Sequence, residues 1–514
     1  MLALARVDLG RLFDALHAEG YRVIGPTVRG GAIVYEEIEG PADLPIGWRD
    51  EQAPGRYRLV RREDDACFGY VVGPHTWKQH LFPPREKLFQ ARRRPDGRVG
   101  FDPVLPEDPK TAFLGVRACE VAAIEVQDRV FLDGPHAEPR YAARRTGAFL
   151  VGVSCLEPGE LCFCASMSTG PRVDHGVDLS MVELPSVFLF EAGTERGRTV
   201  LDRLPTRPAT DEEQRRFDEG TDEARGKMGR TLDPRGLPEL LFGNLDHPRW
   251  EAVAQRCLAC GNCTSVCPTC FCSSAHEESD LLGDASARMR TWDSCFSEEH
   301  AEIHGVNFRP TTRDRYRQWL THKVGSWVSQ YGTSGCVGCG RCIAWCPVGI
   351  DLTEEIAAIR ADSSARIAMP ARRAPTAATD DALVPRAAEV IAVTRETADV
   401  VTLHVACDPR IAPAPGQFTM LSIPAVGEAP ISISGTWGDS LEQTIRDVGA
   451  VSGALAALRP GQQLGVRGPY GNGWPLAAAR GRPVVVIAGG IGLAPLRGAI
   501  RRMLEQPHDY PEVR

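Results

Sequence analysis

The chain's 514 residues predict a multidomain α+β protein: an N-terminal α/β domain, a helical segment built around cysteines, an antiparallel β-barrel, and an incomplete α/β nucleotide-binding lobe. Three observations carry that expectation. The stretch from Cys257 to Pro347 contains the run C-x2-C-x2-C-x3-C-P twice, as Cys257, Cys260, Cys263, Cys267 with Pro268 and as Cys336, Cys339, Cys342, Cys346 with Pro347. From Ala388 to Val466 short alternating strands are separated by turns such as Pro415-Gly416 and Pro460-Gly461, as a small antiparallel barrel requires. Directly afterwards a continuous apolar run, Val484 to Ala488, suits a buried parallel strand and leads into Gly489-Gly490-Ile491-Gly492-Leu493-Ala494-Pro495.

Size and charge narrow the function classes. The chain is too long for a single core and divides most simply into residues 1–240, 241–360, a linker at 361–386, 387–480 and 481–514. With 67 acidic against 59 basic residues, the net charge of −8 offers no basic excess to neutralise phosphates, so nucleic acid is not expected as a partner. Arg92-Arg93-Arg94, beside Pro95 and Gly97, reads as a solvated loop. Seventeen cysteines, eight of them in the doubled run, point away from a disulfide framework and toward a reducing cytoplasm. No window reaches the roughly 18 consecutive apolar residues of a membrane span. Met1 to Gly20, with Asp8, Asp14 and Glu19 among its apolar residues, reads as an amphipathic helix rather than a signal peptide.

Within the first domain, Gly20 to Ile38 alternates like a hairpin turning at Arg29-Gly30-Gly31, and Tyr57 to Val72 reads as further short strands. Ala112 to Val116 and Phe149 to Val153 are compact apolar runs, each ending near a cysteine, Cys119 and Cys155. Cys162 and Cys164 follow closely. Loops at strand ends commonly gather ligands, so Cys119, Cys155, Cys162 and Cys164 make either a third [4Fe–4S] site or a set of buried free thiols. Residues 205–236, dense in charge, read as a surface helix and linker.

In the doubled run, three thiolates two residues apart converge from one small loop, as a cubane cluster needs. Structural zinc uses C-x2-C pairs and needs fewer thiols than two complete runs provide. The insertion between the runs places Tyr316, Trp319, Leu320, Val324 and Trp327 at roughly helical spacing, a helix with a core face. Cys270, Cys272 and Cys295 in that insertion either complete or shield a cluster or are buried packing, whereas Cys67 and Cys407 read as structural. Residues 361–386, rich in Ala, Arg, Pro and Thr, read as a linker.

These motifs resemble known families. The doubled run is similar to the ferredoxin pattern, in which the fourth cysteine of each run serves the other cluster; that resemblance implies one [4Fe–4S] centre on Cys257, Cys260, Cys263 and Cys346 and a second on Cys336, Cys339, Cys342 and Cys267. The barrel and glycine turn resemble the ferredoxin–NADP reductase superfamily, and most closely the flavin subunit of cytoplasmic NAD(P)-linked hydrogenases and sulfhydrogenases. The matching residues are Gly416-Gln417-Phe418, Pro430-Ile431-Ser432-Ile433-Ser434, Thr444-Ile445-Arg446, Gly449-Ala450-Val451-Ser452 and Gly468-Pro469-Tyr470-Gly471. The resemblance implies FAD, with Pro430, Ile431 and Ser432 lining its ring and ribityl chain and Gly449, Val451 and Ser452 at its pyrophosphate. Many relatives carry an arginine where this chain has Glu428-Ala429, and Arg446 is the substitute on hand. Gly489, Gly490, Gly492 and Pro495 stand where a nucleotide phosphate would be approached.

Residues 1 to about 365 resemble the β subunit of the same [NiFe] hydrogenases and the corresponding component of anaerobic sulfite reductase, through Val116-Arg117-Ala118-Cys119-Glu120, Glu157-Pro158-Gly159, Cys162-Phe163-Cys164, Cys267-Pro268-Thr269-Cys270-Phe271-Cys272 and Gly335 to Asp351. The order, β then flavin subunit, suggests a gene fusion. A nicotinamide lobe needs more strands after Pro495 than the residues to Arg514 provide, so these residues alone are not expected to form a full NAD(P) site; either the product is truncated or another chain completes it. The expectation is an electron-transfer subunit linking NAD(P)H, flavin and [4Fe–4S] clusters to a catalytic hydrogenase or sulfur/sulfite-reducing partner. The alternative is a ferredoxin-like electron-carrier scaffold without a working flavin site.

Overall fold

The computed structural model describes residues 1–93, 98–106, 110–134, 136–280, 285–303, 306–362, 383–406 and 413–514. Cys407, residues 363–382 of the expected linker, and Arg94, Pro95 and Gly97 lie outside the described residues. Two compact units emerge. The first comprises Met1–Pro84, Pro106–Ser274 and Trp292–Thr379, and the second Arg85–Leu105, Ala275–Thr291 and Asp380–Arg514.

In the first unit eight strands form one sheet in the order Arg207–Pro208, Leu2–Ala5, Val187–Ala192, Leu179–Glu183, Ala148–Val153, Thr111–Arg117, Arg22–Arg29 and Ala32–Glu37. The four strands from Leu179–Glu183 to Arg22–Arg29 pair in parallel. Ala148–Val153 is buried at every position, as a strand covered on both faces must be. Leu4, Leu12, Phe13, Phe149 and Phe190 pack one face, and Val121, Ile124 and Tyr141 pack the other. The hairpin expected between Gly20 and Ile38 is present as Arg22–Arg29 with Ala32–Glu37.

The N-terminus differs from its expectation. Leu2-Ala3-Leu4-Ala5 alternates with period two and pairs with two strands, so only Gly10–Ala18 is left to be an α-helix. Between Tyr57 and Val72 only the hairpin strand Arg56–Arg61 is regular. Beyond it the backbone is held by side chains instead: the Arg117 guanidinium donates to the carbonyls of Phe68 (2.6 Å) and Tyr70 (2.9 Å), and Asp50 accepts from Val71 N (2.5 Å).

The cysteine region follows the charged helix Asp211–Gly226. Its core gathers Trp250, Tyr316, Trp319, Leu320, Ile343 and Ile356, so the aromatic seam packs as expected of core. The helix Thr312–Thr321 continues through a π-helical turn, His322–Ser326, into Trp327–Tyr331. The insertion is not purely helical: Ser273–Ser279 and Ala285–Trp292 are strands.

In the second unit those two strands join Arg85–Arg93 and Val99–Pro103 in a four-stranded sheet, which places Arg92 and Arg93 in a strand rather than a loop. Six antiparallel strands close the barrel in the order Arg386–Arg395, Val400–Ala406, Ser440–Arg446, Gly427–Trp437, Phe418–Ile423 and Gln463–Tyr470. All six overlap the stretch Ala388 to Val466 in which short strands are expected. Val484–Ala488 is the exception. It makes one parallel bridge, Val484 to Val513, and leaves Val485 and Ile487 68% and 87% exposed, because a strand is buried only when neighbours flank both edges and cover both faces. No described helix is long and apolar enough to cross a membrane.

Inside the first unit, Glu120 and Arg341 form a wholly buried ion pair. Glu120 also accepts from Tyr35 Oη (2.9 Å) and Trp77 Nε1 (3.1 Å), while Arg341 donates to the carbonyls of Gly73 (2.9 Å) and His75 (3.1 Å). Glu120→Ala strands the guanidinium without its counter-charge. Denaturant unfolding is expected to report a loss of about 3–5 kcal/mol, and Glu120→Gln a smaller one.

Candidate metal and flavin sites

Each four-cysteine run doubles back at a left-handed glycine, Gly261 (φ 74°) before the short helix Asn262–Ser265 and Gly340 (φ 75°) before Arg341–Ala344. That conformation lets the third cysteine return to the space faced by the first two. Cys257, Cys260, Cys263 and Cys346 line one pocket, with Cys342 at its wall. Tyr316 and Trp319 line it too, and their Oη and Nε1 are buried without a hydrogen-bond partner among the described residues. Unsatisfied donors on residues that line a thiol-lined space fit a group with many sulfur acceptors.

Cys267 of the first run keeps company with the second. It lies within electrostatic reach of Cys336, Cys339 and Cys342. Lys323, 3% exposed, reaches it from the π-helical turn, its Nζ donating to Cys267 Sγ (3.2 Å), Cys270 Sγ (3.1 Å) and Thr269 Oγ1 (2.9 Å). The hydrogen bond with Cys270, and then the ammonium, hold the Cys267 thiol well below its ordinary value. No motif flagged Lys323. Its sequence signal is a lysine between Leu320 and Val324 on an otherwise apolar helical face.

Cys119, Cys155, Cys162 and Cys164 line a separate pocket with Val71, Arg117, Pro158, Pro171 and Met228. The parallel sheet explains the meeting. Thr111–Arg117 and Ala148–Val153 are neighbours; the first turn of the helix Ala118–Phe131 and the loop after Val153 carry Cys119 and Cys155 to the same rim. Cys162 and Cys164 are then pinned by close backbone packing: Phe163 N donates to Gly338 O (2.9 Å), and a Cβ at Gly338 (φ 68°) would stand 2.6 Å from the Phe163 carbonyl. Gly338 lies between Cys336 and Cys339, so the third thiol set directly adjoins the second run.

Several members of each set, though not Cys267, share one electrostatic trend. Burial pushes Cys164 and Cys336 up to about 12 and Cys119, Cys162, Cys263 and Cys342 well above the ordinary thiol range, with neighbouring thiols adding to the shift. Thiols so crowded ionise only when a cation takes the place of their protons. Among the described residues no three His, Cys, Asp or Glu side chains converge on a single-ion position. The Cys257 and Cys119 sets ring pockets instead, and a multi-atom iron–sulfur cluster fits such a lining better than a lone ion. Cys67, 5% exposed, is held apart beside Arg6 and Glu183, as a structural residue.

In the barrel, alternation along Gly427–Trp437 decides which expected residues face outward. Ile431 packs against the barrel core, as does Val451, leaving exposed Pro430 and half-buried Ser432 on the other face. Ser452 Oγ accepts from Gly449 N (3.0 Å) and Val448 N (3.1 Å), closing the turn that opens the helix Ala450–Ala456. Arg446 is paired with Asp399 at 2.8 Å. A Cβ at Gly449, Gly489 or Gly492 would meet nothing within 4 Å, and Gly490 has the same open surroundings, so these backbones face free space a ligand could occupy. Pro495 O accepts from Trp474 Nε1 (2.9 Å) at the start of the helix Leu493–Leu504, which packs against the barrel. An open edge at Pro430 and Ser432 and a glycine turn at 449 fit a flavin.

Residues 256–350 match the 4Fe-4S dicluster domain family. Sulfhydrogenase 2 subunit β of Pyrococcus furiosus is 33% identical over 310 residues, 59% of this chain and 89% of that protein. Sulfhydrogenase 1 subunit γ of the same organism is 42% identical over 101 residues, 19% of this chain and 35% of that protein; the chain thus spans about a third of the γ relative's length. Among solved structures, a ferredoxin–NADP+ reductase from Neisseria gonorrhoeae is 21% identical, covering 25% of this chain and 55% of that one at a TM-score of 0.23.

Glu428, where an arginine is expected nearby from the resemblance, is paired with Arg467 and with Arg288 (3.1 Å). Although burial raises its carboxyl, those guanidiniums hold it below the ordinary value of about 4.5. A carboxyl depressed in the folded state stabilises fully above its unfolded value, and that stability is lost as pH falls through the folded one. Glu428→Gln is therefore expected to cost about 1–3 kcal/mol near neutral pH and progressively less in acid, read from denaturation curves across pH.

Proposed function

The chain belongs to the sulfhydrogenase β-subunit family, and from that premise we propose an iron–sulfur flavoprotein electron-transfer subunit that passes electrons between NAD(P)H, flavin and [4Fe–4S] clusters to or from a catalytic hydrogenase or sulfur/sulfite-reducing partner. One observation carries the reading. Thiols distant in sequence line shared pockets, Cys257, Cys260, Cys263 and Cys346 together with Cys342 in one and Cys119, Cys155, Cys162 and Cys164 in another.

In this reading the first of those sets holds one cluster, Cys336, Cys339, Cys342 and Cys267 a second, and the Cys119 set a third. The three are contiguous: Cys342 borders the first pocket and Gly338 packs on Cys162-Phe163-Cys164. Short gaps between centres are what one-electron transfer needs. Lys323 and the buried indoles offer donors to sulfur, which stabilise the reduced, more negative state. Bound flavin supplies exchange between a two-electron hydride and single electrons. For it, Pro430 and Ser432 offer the open barrel edge, Gly449 and Ser452 the turn, and Arg446 a cation. Gly489, Gly490, Gly492 and Pro495 supply the glycine turn and helix start of a nucleotide lobe, where NAD(P)H would be approached. We place the chain in a reducing cytoplasm, which the doubled cysteine run supports over a disulfide framework.

Anaerobically purified protein is expected to carry about twelve irons per chain, four per cluster. A value near eight leaves the Cys119 set as plain thiols, and a value near four removes the dicluster assignment. Cys164→Ser should lower iron by about four and delete one reducible signal in electron paramagnetic resonance. Lys323→Met, which removes a cation and its hydrogen bonds to Cys267, should move one cluster's reduction potential downward in a potentiometric titration while iron content holds. Stoichiometric flavin that bleaches on addition of NAD(P)H separates this reading from a flavin-free ferredoxin-like scaffold.

A further inference from the structure

Cys272 and Cys295 belong to none of the three thiol sets. Chain geometry nonetheless brings them together. They flank the base of the strands Ser273–Ser279 and Ala285–Trp292, where Asp293 N donates to Cys272 O at 2.9 Å, so residue 295 returns across from residue 272. Their Sγ atoms stand 3.5 Å apart, as free thiols in contact. Cys295 is 7% exposed and Cys272 is half-buried, so an attacking reagent meets Cys272 first.

A histidine and a carboxylate complete the group. His300 Nδ1 lies 3.0 Å from Asp293 Oδ2, and Asp293 is itself fixed by Ser294 N (2.7 Å) and Ser274 Oγ. His300 also interacts electrostatically with the Cys272 thiol, which raises the imidazole above its ordinary value. The order carboxylate, imidazole, thiol, second thiol is that of a nucleophile with an oriented base on one side and a resolving partner on the other.

We propose that Cys272 and Cys295 form a reversible dithiol–disulfide pair that reacts with hydroperoxides, with Cys272 as the attacking thiolate, the Asp293-oriented His300 as the acceptor of its proton, and Cys295 as the resolving thiol. The Cys272 thiolate attacks one peroxide oxygen, the O–O bond breaks and hydroxide leaves, which takes up the proton from His300; Cys272 is then a sulfenic acid. The Cys295 thiol displaces its hydroxyl as water and the S–S bond forms. In sum a dithiol and hydrogen peroxide become a disulfide and two waters, two electrons having passed from sulfur to peroxide oxygen. An external dithiol reverses the step by exchange. The bond with Cys295, helped by His300, holds the Cys272 thiol below its ordinary value, while the same bond and burial push Cys295 up. That asymmetry separates attacking from resolving sulfur. Both residues pack in the same apolar cluster as Cys257, Cys263 and Cys342.

The test treats full-length, iron-loaded protein with one equivalent of hydrogen peroxide, blocks free thiols by alkylation, and maps peptides by mass spectrometry without reduction. The expected product is a cross-linked peptide pair containing Cys272 and Cys295 that dithiothreitol releases. Cys295→Ser should stop at a dimedone-trapped sulfenic acid on Cys272, and His300→Gln should slow oxidation of Cys272 at least about ten-fold. Iron content should be unchanged in Cys272→Ser and Cys295→Ser. Recovery of both cysteines fully alkylated after peroxide, or a drop in iron equal to one cluster in either serine variant, overturns the proposal; the latter would make them ligands.

Discussion

The buried pair of Glu120 and Arg341 is the constraint on which the cysteine-bearing unit depends. Arg341 stands inside the second cysteine run, between Cys339 and Cys342, and Glu120 stands one residue after Cys119 at the start of a sheet-capping helix. Two charges removed from water need further hydrogen bonds to offset their desolvation. Here Tyr35, Trp77 and the carbonyls of Gly73 and His75 supply partners, while Arg341 Nη1 stays buried without one, and these bonds tie the loop carrying the second run to the N-terminal domain. The pair therefore locates the third thiol set relative to the second.

Around that anchor the three thiol sets share a common physical state. Desolvation and mutual repulsion oppose ionisation of most of their members, while Cys267, hydrogen-bonded with Cys270 beside Lys323, is pulled the other way. A site that penalises empty thiolates and gathers unsatisfied indole and phenol donors is arranged for a bound group that carries both cation and sulfide. The π-helical turn has a part in this, since widening the helix by one residue swings Lys323 into a seam that Leu320 and Val324 otherwise fill.

The barrel unit draws its order from different forces. Its interior is aliphatic, with Val390, Leu403, Val405, Leu421 and Leu464 at the centre, and its charged residues form a ladder of Arg288, Glu428 and Arg467 on the outside of that core. Glu428 is committed to those arginines. Glu428 is thus part of the barrel's own ion network, and in the proposed reading the flavin phosphate falls to the Gly449–Ser452 turn and Arg446.

Local sequence alone determined a good deal of this protein: the doubled cysteine run, the six barrel strands, the parallel runs ending at Cys119 and Cys155, and the aromatic helix were all legible, because each depends on spacing or periodicity within a short window. Tertiary structure decided the rest. Whether Cys119, Cys155, Cys162 and Cys164 meet depends on which strands are neighbours, a fact set by parallel pairing across the sheet. Burial of Lys323 and of Arg341 depends on partners as far away in sequence as Glu120, and the contact of Cys272 with Cys295 depends on two intervening strands closing at their base. The exposed faces of Val485 and Ile487 show the converse: an apolar run declares that it can be a core strand, but only flanking neighbours make it one.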